Sequence, residues 1–159
     1  MKEQDIVELL SALIGHGSVN PGDGPVRHRW QGEGRVATFV AEWLRAAGLS
    51  VHLDEYAKGR CNVIARLTQS ADRPTVLLDA HMDTVDIDWP EADRFEARVR
   101  DGAVFGLGAA DDKGSLCALM LAVRELARSH VHGCNVILLA SGDEEHGFSG
   151  VRRALAQGL

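Results

Sequence analysis

Apolar residues along the chain recur at two spacings, and each spacing predicts a different element. Ile6, Leu9, Leu10 and Leu13 fall at i, i+3, i+4 and i+7, one face of an α-helix, and Gly15 and Gly17 follow where such a helix should stop. Val36, Phe39, Val40, Trp43 and Leu44 repeat that interval, with Gly48 placed as a C-terminal cap. Leu116, Leu119, Met120, Val123 and Leu126 mark a third helix from about Lys113 to Arg128. SVHLDEY and CNVIARL read as two strands paired across a Lys58-Gly59 turn, and FEARVRDGAVFG as a hairpin about Asp101-Gly102. TVLLDA (75–80) and CNVILLAS (134–141) are short apolar runs, the pattern of strands buried on both faces. The Gly- and Pro-rich stretch GHGSVNPGDGPVRHRWQGEG reads as a surface excursion, and HMDTVDIDWPEADR as a polar, acidic loop. Strand, crossover helix and strand together predict an α/β fold with a mostly parallel central sheet flanked by helices.

Composition narrows the function. With 159 residues the chain has the size of one domain, and 45% hydrophobic with 25% charged residues excludes a disordered polypeptide. The net charge of −6 disfavours nucleic acid and anionic membrane surfaces as main partners. Charges at Lys2, Glu3, Asp5 and Glu8 interrupt any signal peptide, and no apolar run approaches the ~20 residues of a membrane span. Cys61, Cys117 and Cys134 lie far apart with no Cys-x-x-Cys pair, which suggests neither a disulfide framework nor a thiolate zinc site and fits a reducing cytoplasm. Cys117 and Cys134 fit small core hydrophobes.

The unusual polar residues cluster where ligand sites form in α/β sheets, beyond the carboxyl ends of strands. His81-Met82-Asp83 follows the 75–80 strand, Asp111 and Asp112 follow the hairpin in GLGAADDKG, and Asp143-Glu144-Glu145 follows the 134–141 strand. One imidazole and six carboxylates would share one crevice, at a cost that one or two divalent cations would relieve. If the strand continues through His81, Asp83 points to the same side and can accept one imidazole N–H while the other nitrogen binds metal. Gly106 and Gly108 allow a sharp turn before Asp111, whose two oxygens can bridge two cations. The side chains of Glu144 and Glu145 diverge, so one can ligate while the other serves as a base. Gly106-x-Gly108 also begins a dinucleotide-binding pattern, but Asp111 occupies the third glycine's position and would repel a pyrophosphate. His16, His52, His130 and His132 read as solvated, His146 as a surface residue, and Arg27 to Trp30 as loop residues without a substrate role.

AHMDTV, GLGAADDKG and SGDEEHG, in that order and spacing, resemble the M20 family of dinuclear zinc amidohydrolases, deacetylases and exopeptidases. The entry helix, the SVNP loop, GEGRVATFVAEWLRAAG and GRCNVIARL are similar as well, so the resemblance covers the whole chain. It implies a zinc-exopeptidase-like catalytic domain acting on N-acyl amino acids or small peptides. By that resemblance His81, Asp111 and Glu145 are metal ligands, Asp111 bridges, Asp83 orients His81, and Glu144 is the general acid/base. Asp112 stands where the family often has Met and is given no role. Zn²⁺ is the implied metal, two per complete site, with Co²⁺ or Mn²⁺ compatible with the same donors. The family also takes a carboxylate and a histidine from further downstream, and a lid or dimerisation domain. Residues 1–159 are therefore expected to be the N-terminal part of a longer enzyme, inactive alone, whose full-length form is a candidate homodimer. The alternative is a non-catalytic truncated relative serving as a binding or assembly domain.

Overall fold

A computed structural model describes residues 2–129 and 133–159; His130 and His132 lie outside the described residues. In chain order the elements are α1 (Glu3–Gly15), α2 (Gly34–Ala46), β1 (Ser50–Ala57), β2 (Arg60–Leu67), β3 (Thr75–His81), α3 (Glu91–Phe95), β4 (Arg98–Arg100), β5 (Ala103–Phe105), α4 (Lys113–Ser129), β6 (Asn135–Ser141) and α5 (Ser149–Ala156). The helical spacings are realised: α1 buries Leu9, Leu10, Leu13 and Ile14, α2 buries Val36, Val40 and Leu44, and α4 buries Leu116, Met120 and Val123.

Strand alternation then sorts the layers. Val63 and Ala65 of β2, with Val136 and Leu138 of β6, face the core beneath α1, α2 and α4, whereas Ile64 and Leu139 face Ala154 of α5. Helices therefore cover both faces of one four-stranded sheet, ordered β1-β2-β6-β3. The α/β class with a helix-flanked central sheet stands, but the sheet is mixed rather than mostly parallel. Among the described strands of this sheet only β3 and β6 pair in parallel, joined by a crossover that contains α4; β1 with β2 and β2 with β6 are antiparallel. The reason is local: the β1–β2 hairpin must reverse direction, and β2 is the strand that meets β6.

Three other expectations change. The β3 strand is an edge among the described residues, with Val76 and Leu77 nearly half exposed and burial confined to Ala80 and His81. The 15–34 loop is pinned to the body: Asn20 N donates to Thr84 O at 2.8 Å, Thr84 N donates to Ser18 O at 3.1 Å, and the Trp30 ring stacks on Phe95 at 4.3 Å. His16 stacks on Phe39 rather than standing in solvent. The β4–β5 hairpin is as expected, with positive φ at both Asp101 (52°) and Gly102 (76°), the requirement of a type I′ turn. Among the described residues no helix is long and apolar enough to cross a membrane.

Candidate metal centre

Parallel pairing of β3 with β6 runs to His81↔Ser141 and is extended by Met82 N donating to Ser141 O at 2.8 Å. The chain beyond β3 is thereby laid beside the Gly142–Glu145 turn, and the Gly106–Asp112 loop closes over both. His81 Nε2 lies 3.0 Å from Asp111 Oδ1 and 3.7 Å from Glu144 Oε2. Ligand atoms of His81, Asp111 and Glu145 all lie within 4.8 Å of one another, a group able to hold a cation. Asp111 is largely exposed at the mouth, and the Asp111–Asp112 peptide is cis. Asp112 turns aside, its Oδ2 accepting the His81 backbone N–H at 3.3 Å.

Burial alone would lower the His81 pKa, yet hydrogen bonds to Asp83 and Asp111 and the field of Glu144 raise it to about 9. Without a metal the imidazole is protonated at neutral pH, so a cation at Nε2 must displace a proton. Burial, reinforced by the Asp111, Asp83 and Glu144 carboxylates, holds Glu145 above the usual carboxylate range.

Asp83, fully buried, is the hub. Its carbonyl oxygen lies 3.0 Å from His81 Nδ1, nearer than its carboxylate at 3.6 Å, so the backbone is the closer partner of the ring. The carboxylate instead accepts Glu144 N at 3.1 Å on Oδ1, and Glu145 N at 3.0 Å and Asn20 Nδ2 at 2.7 Å on Oδ2. Burial raises the Asp83 pKa, but these donors and His81 outweigh it and hold the group ionised.

Below the hub lies a charge network that sequence reasoning missed. Glu33 has no exposed surface, and both its oxygens accept Arg60 Nε, at 3.2 and 3.0 Å. Arg60 Nη2 donates to Asp143 Oδ1 at 2.8 Å. Asp143, expected at the mouth, points inward instead, with Asn20 Nδ2 3.1 Å from Oδ1 and Ser149 N 3.1 Å from Oδ2. Burial works against its charge, but these hydrogen bonds hold it well below the usual range. Its φ of 65° is left-handed, which costs a residue other than glycine about 1 kcal/mol. Lys113 is also buried, donating to Leu13 O at 2.9 Å and His16 O at 3.0 Å, and burial lowers its pKa to about 7. The loop residues Arg29 and Trp30 reach Glu91, at 3.2 and 2.7 Å, and His146 reaches Asp23 at 3.2 Å. A buried Arg60 at the start of β2, a strand that also carries Asn62 and Arg66, was the available hint of the network.

Comparison with known proteins places the fold and the family. A succinyl-diaminopimelate desuccinylase from Xanthomonas euvesicatoria pv. vesicatoria (strain 85-10) is 34% identical over 157 residues, which cover 94% of this chain and 38% of that protein. An M20 family metallo-carboxypeptidase from Sulfolobus solfataricus has a similar fold, with a TM-score of 0.79 at 24% identity over 99% of this chain and 34% of its own. So does a dinuclear metal binding peptidase of the M20 family from Bacillus subtilis, with a TM-score of 0.66 at 17% identity over 98% of this chain and 39% of its own. The chain thus spans 38% of the length of the curated relative. The family model for peptidase family M20/M25/M40 matches residues 77–159, which contain all three segments that meet at His81, and the chain belongs to that family.

Proposed function

We propose that the polypeptide to which these residues belong hydrolyses amide C–N bonds in N-acyl amino acids or small peptides at a pair of divalent cations, Zn²⁺ foremost. One observation carries the reading: His81, Asp111 and Glu145 converge within 4.8 Å, with Glu144 beside them. An imidazole nitrogen and carboxylate oxygens are a donor set that Zn²⁺ takes, and Co²⁺ or Mn²⁺ tolerate. His81 would offer Nε2 while Asp83 fixes Nδ1, and Asp111 and Glu145 would supply carboxylate oxygens to the cations. Bound cations supply Lewis acidity, lowering the pKa of water and polarising the amide carbonyl. Glu144, half exposed at the mouth, takes the proton of the attacking water and returns it to the leaving nitrogen. The desuccinylase relative supports an N-acyl substrate.

Among the described residues three ligating side chains come together, so the 159 residues alone are expected to hold Zn²⁺ below two equivalents and to show no turnover. Zinc stoichiometry and hydrolysis of N-acetyl and N-succinyl amino acids measure both, and robust turnover by this chain overturns the requirement for further residues. In the longer polypeptide, Glu144→Gln should lower kcat by roughly 10²–10⁴-fold with both metals retained. Undiminished activity would remove Glu144 from the role of base.

A further inference from the structure

We infer that Arg60, acting with Glu33 and Asp143, is the positioning residue of the Glu144–Glu145 pair. The inference rests on the reading above, in which Glu144 moves the proton and Glu145 holds a cation. Arg60 touches neither glutamate; it acts through Asp143. Its Nη2 holds the Asp143 carboxylate at 2.8 Å, while its Nε holds Glu33, whose Oε1 in turn accepts Asp143 N at 3.1 Å. Asp143 is therefore gripped at side chain and main chain by the two ends of one ion pair. That grip maintains the left-handed turn at φ 65°, and the turn aims the next two amides, of Glu144 and Glu145, at the Asp83 carboxylate.

The geometry needs arginine. Its planar fork donates in two directions at once, whereas a lysine ammonium is a single point of charge. Glu33 and Asp143 are both buried carboxylates held by the two arms of one guanidinium, so a side chain that can reach only one of them leaves the other poorly compensated, and the turn at Asp143 is the part that can open to solvent. A purely structural Arg60 would instead stabilise all parts of the sheet alike, since β2 pairs with both β1 and β6.

Amide hydrogen exchange, followed by NMR on the metal-free chain, separates the two roles. In Arg60→Lys the Glu144 and Glu145 amides should exchange at least about tenfold faster, while those of Leu138 and Leu139 in β6 keep their rates. Unchanged rates at Glu144 and Glu145, or equal acceleration throughout, overturns the inference. Should Arg60→Lys not fold, the isosteric Glu33→Gln decides by the same criterion, and failure of both to fold overturns the inference by making the network a requirement of the fold. A parallel Co²⁺ titration, read by visible absorption, should show about tenfold weaker binding in Arg60→Lys than in the unaltered chain. Absence of any Co²⁺ spectrum with the unaltered chain counts against the metal reading, and the exchange rates still decide the role of Arg60.

Discussion

Gly150 sets a tight tolerance on one side of the metal centre. A Cβ there would lie 2.3 Å from Gly142 O and 2.4 Å from Asn62 Oδ1, both of them fixed. Asn62 donates through Nδ2 to Gly150 O at 2.9 Å and accepts Gly142 N at 3.1 Å, so its amide locks α5 to the turn carrying the glutamate pair. Gly150→Ala should therefore destabilise the fold by about 1–3 kcal/mol, seen as a lower urea midpoint with unchanged slope. An unshifted midpoint would mean that the turn yields more easily than these contacts imply. The same scale separates what could be read from the sequence. His81, Asp111 and Glu145 were legible because metal-binding residue types stand directly after strands or a hairpin. Glu33 and Arg60 were not, because an isolated charge at the start of a helix or strand reads as solvated until its partner, 27 positions away, is known.

Elements follow the same rule. The β4–β5 hairpin was legible because Asp101-Gly102 specifies its turn within two residues. The antiparallel junction of β2 with β6 was not, since Val63↔Ala140 joins strands whose apolar patterns are compatible with either direction. Helix α5 went unread, being eight residues with little buried apolar surface, and much of its attachment is polar. Arg153 of α5 grips Asp54 of β1 through Nε at 2.8 Å and Nη2 at 2.9 Å. Hydrogen bonding to Arg153 holds the Asp54 carboxyl below its ordinary value. A carboxyl depressed in the folded state contributes stability above its unfolded pKa of 3.8 and loses it as pH falls through the lower folded value. Asp54→Asn should thus lower the thermal midpoint at pH 7 and leave a smaller difference near pH 3. A difference that is constant across that range would assign the effect to packing.

At the scale of the molecule, the sheet brings together segments far apart in sequence and concentrates acidic groups at one end, with Arg60 beneath them as the local counter-charge. The two sides of the sheet are not equivalent. Along β1 the outer strand carries exposed His52 and Glu55. Along β3 the one exposed charge is Asp79, and the four residues before it, Thr75 to Leu78, are uncharged, with Val76 and Leu77 nearly half exposed. An edge whose first four residues are uncharged presents open backbone groups that a second copy can extend by pairing, the first step of edge-to-edge association. The 159-residue chain is accordingly expected to self-associate with rising concentration, and Leu77→Lys to shift it towards monomer in sedimentation velocity. Equal sedimentation of the two proteins would show that β3 is protected by other means. The strand that carries His81 into the candidate metal centre is thus also the one expected to decide whether the chain stays dispersed in solution.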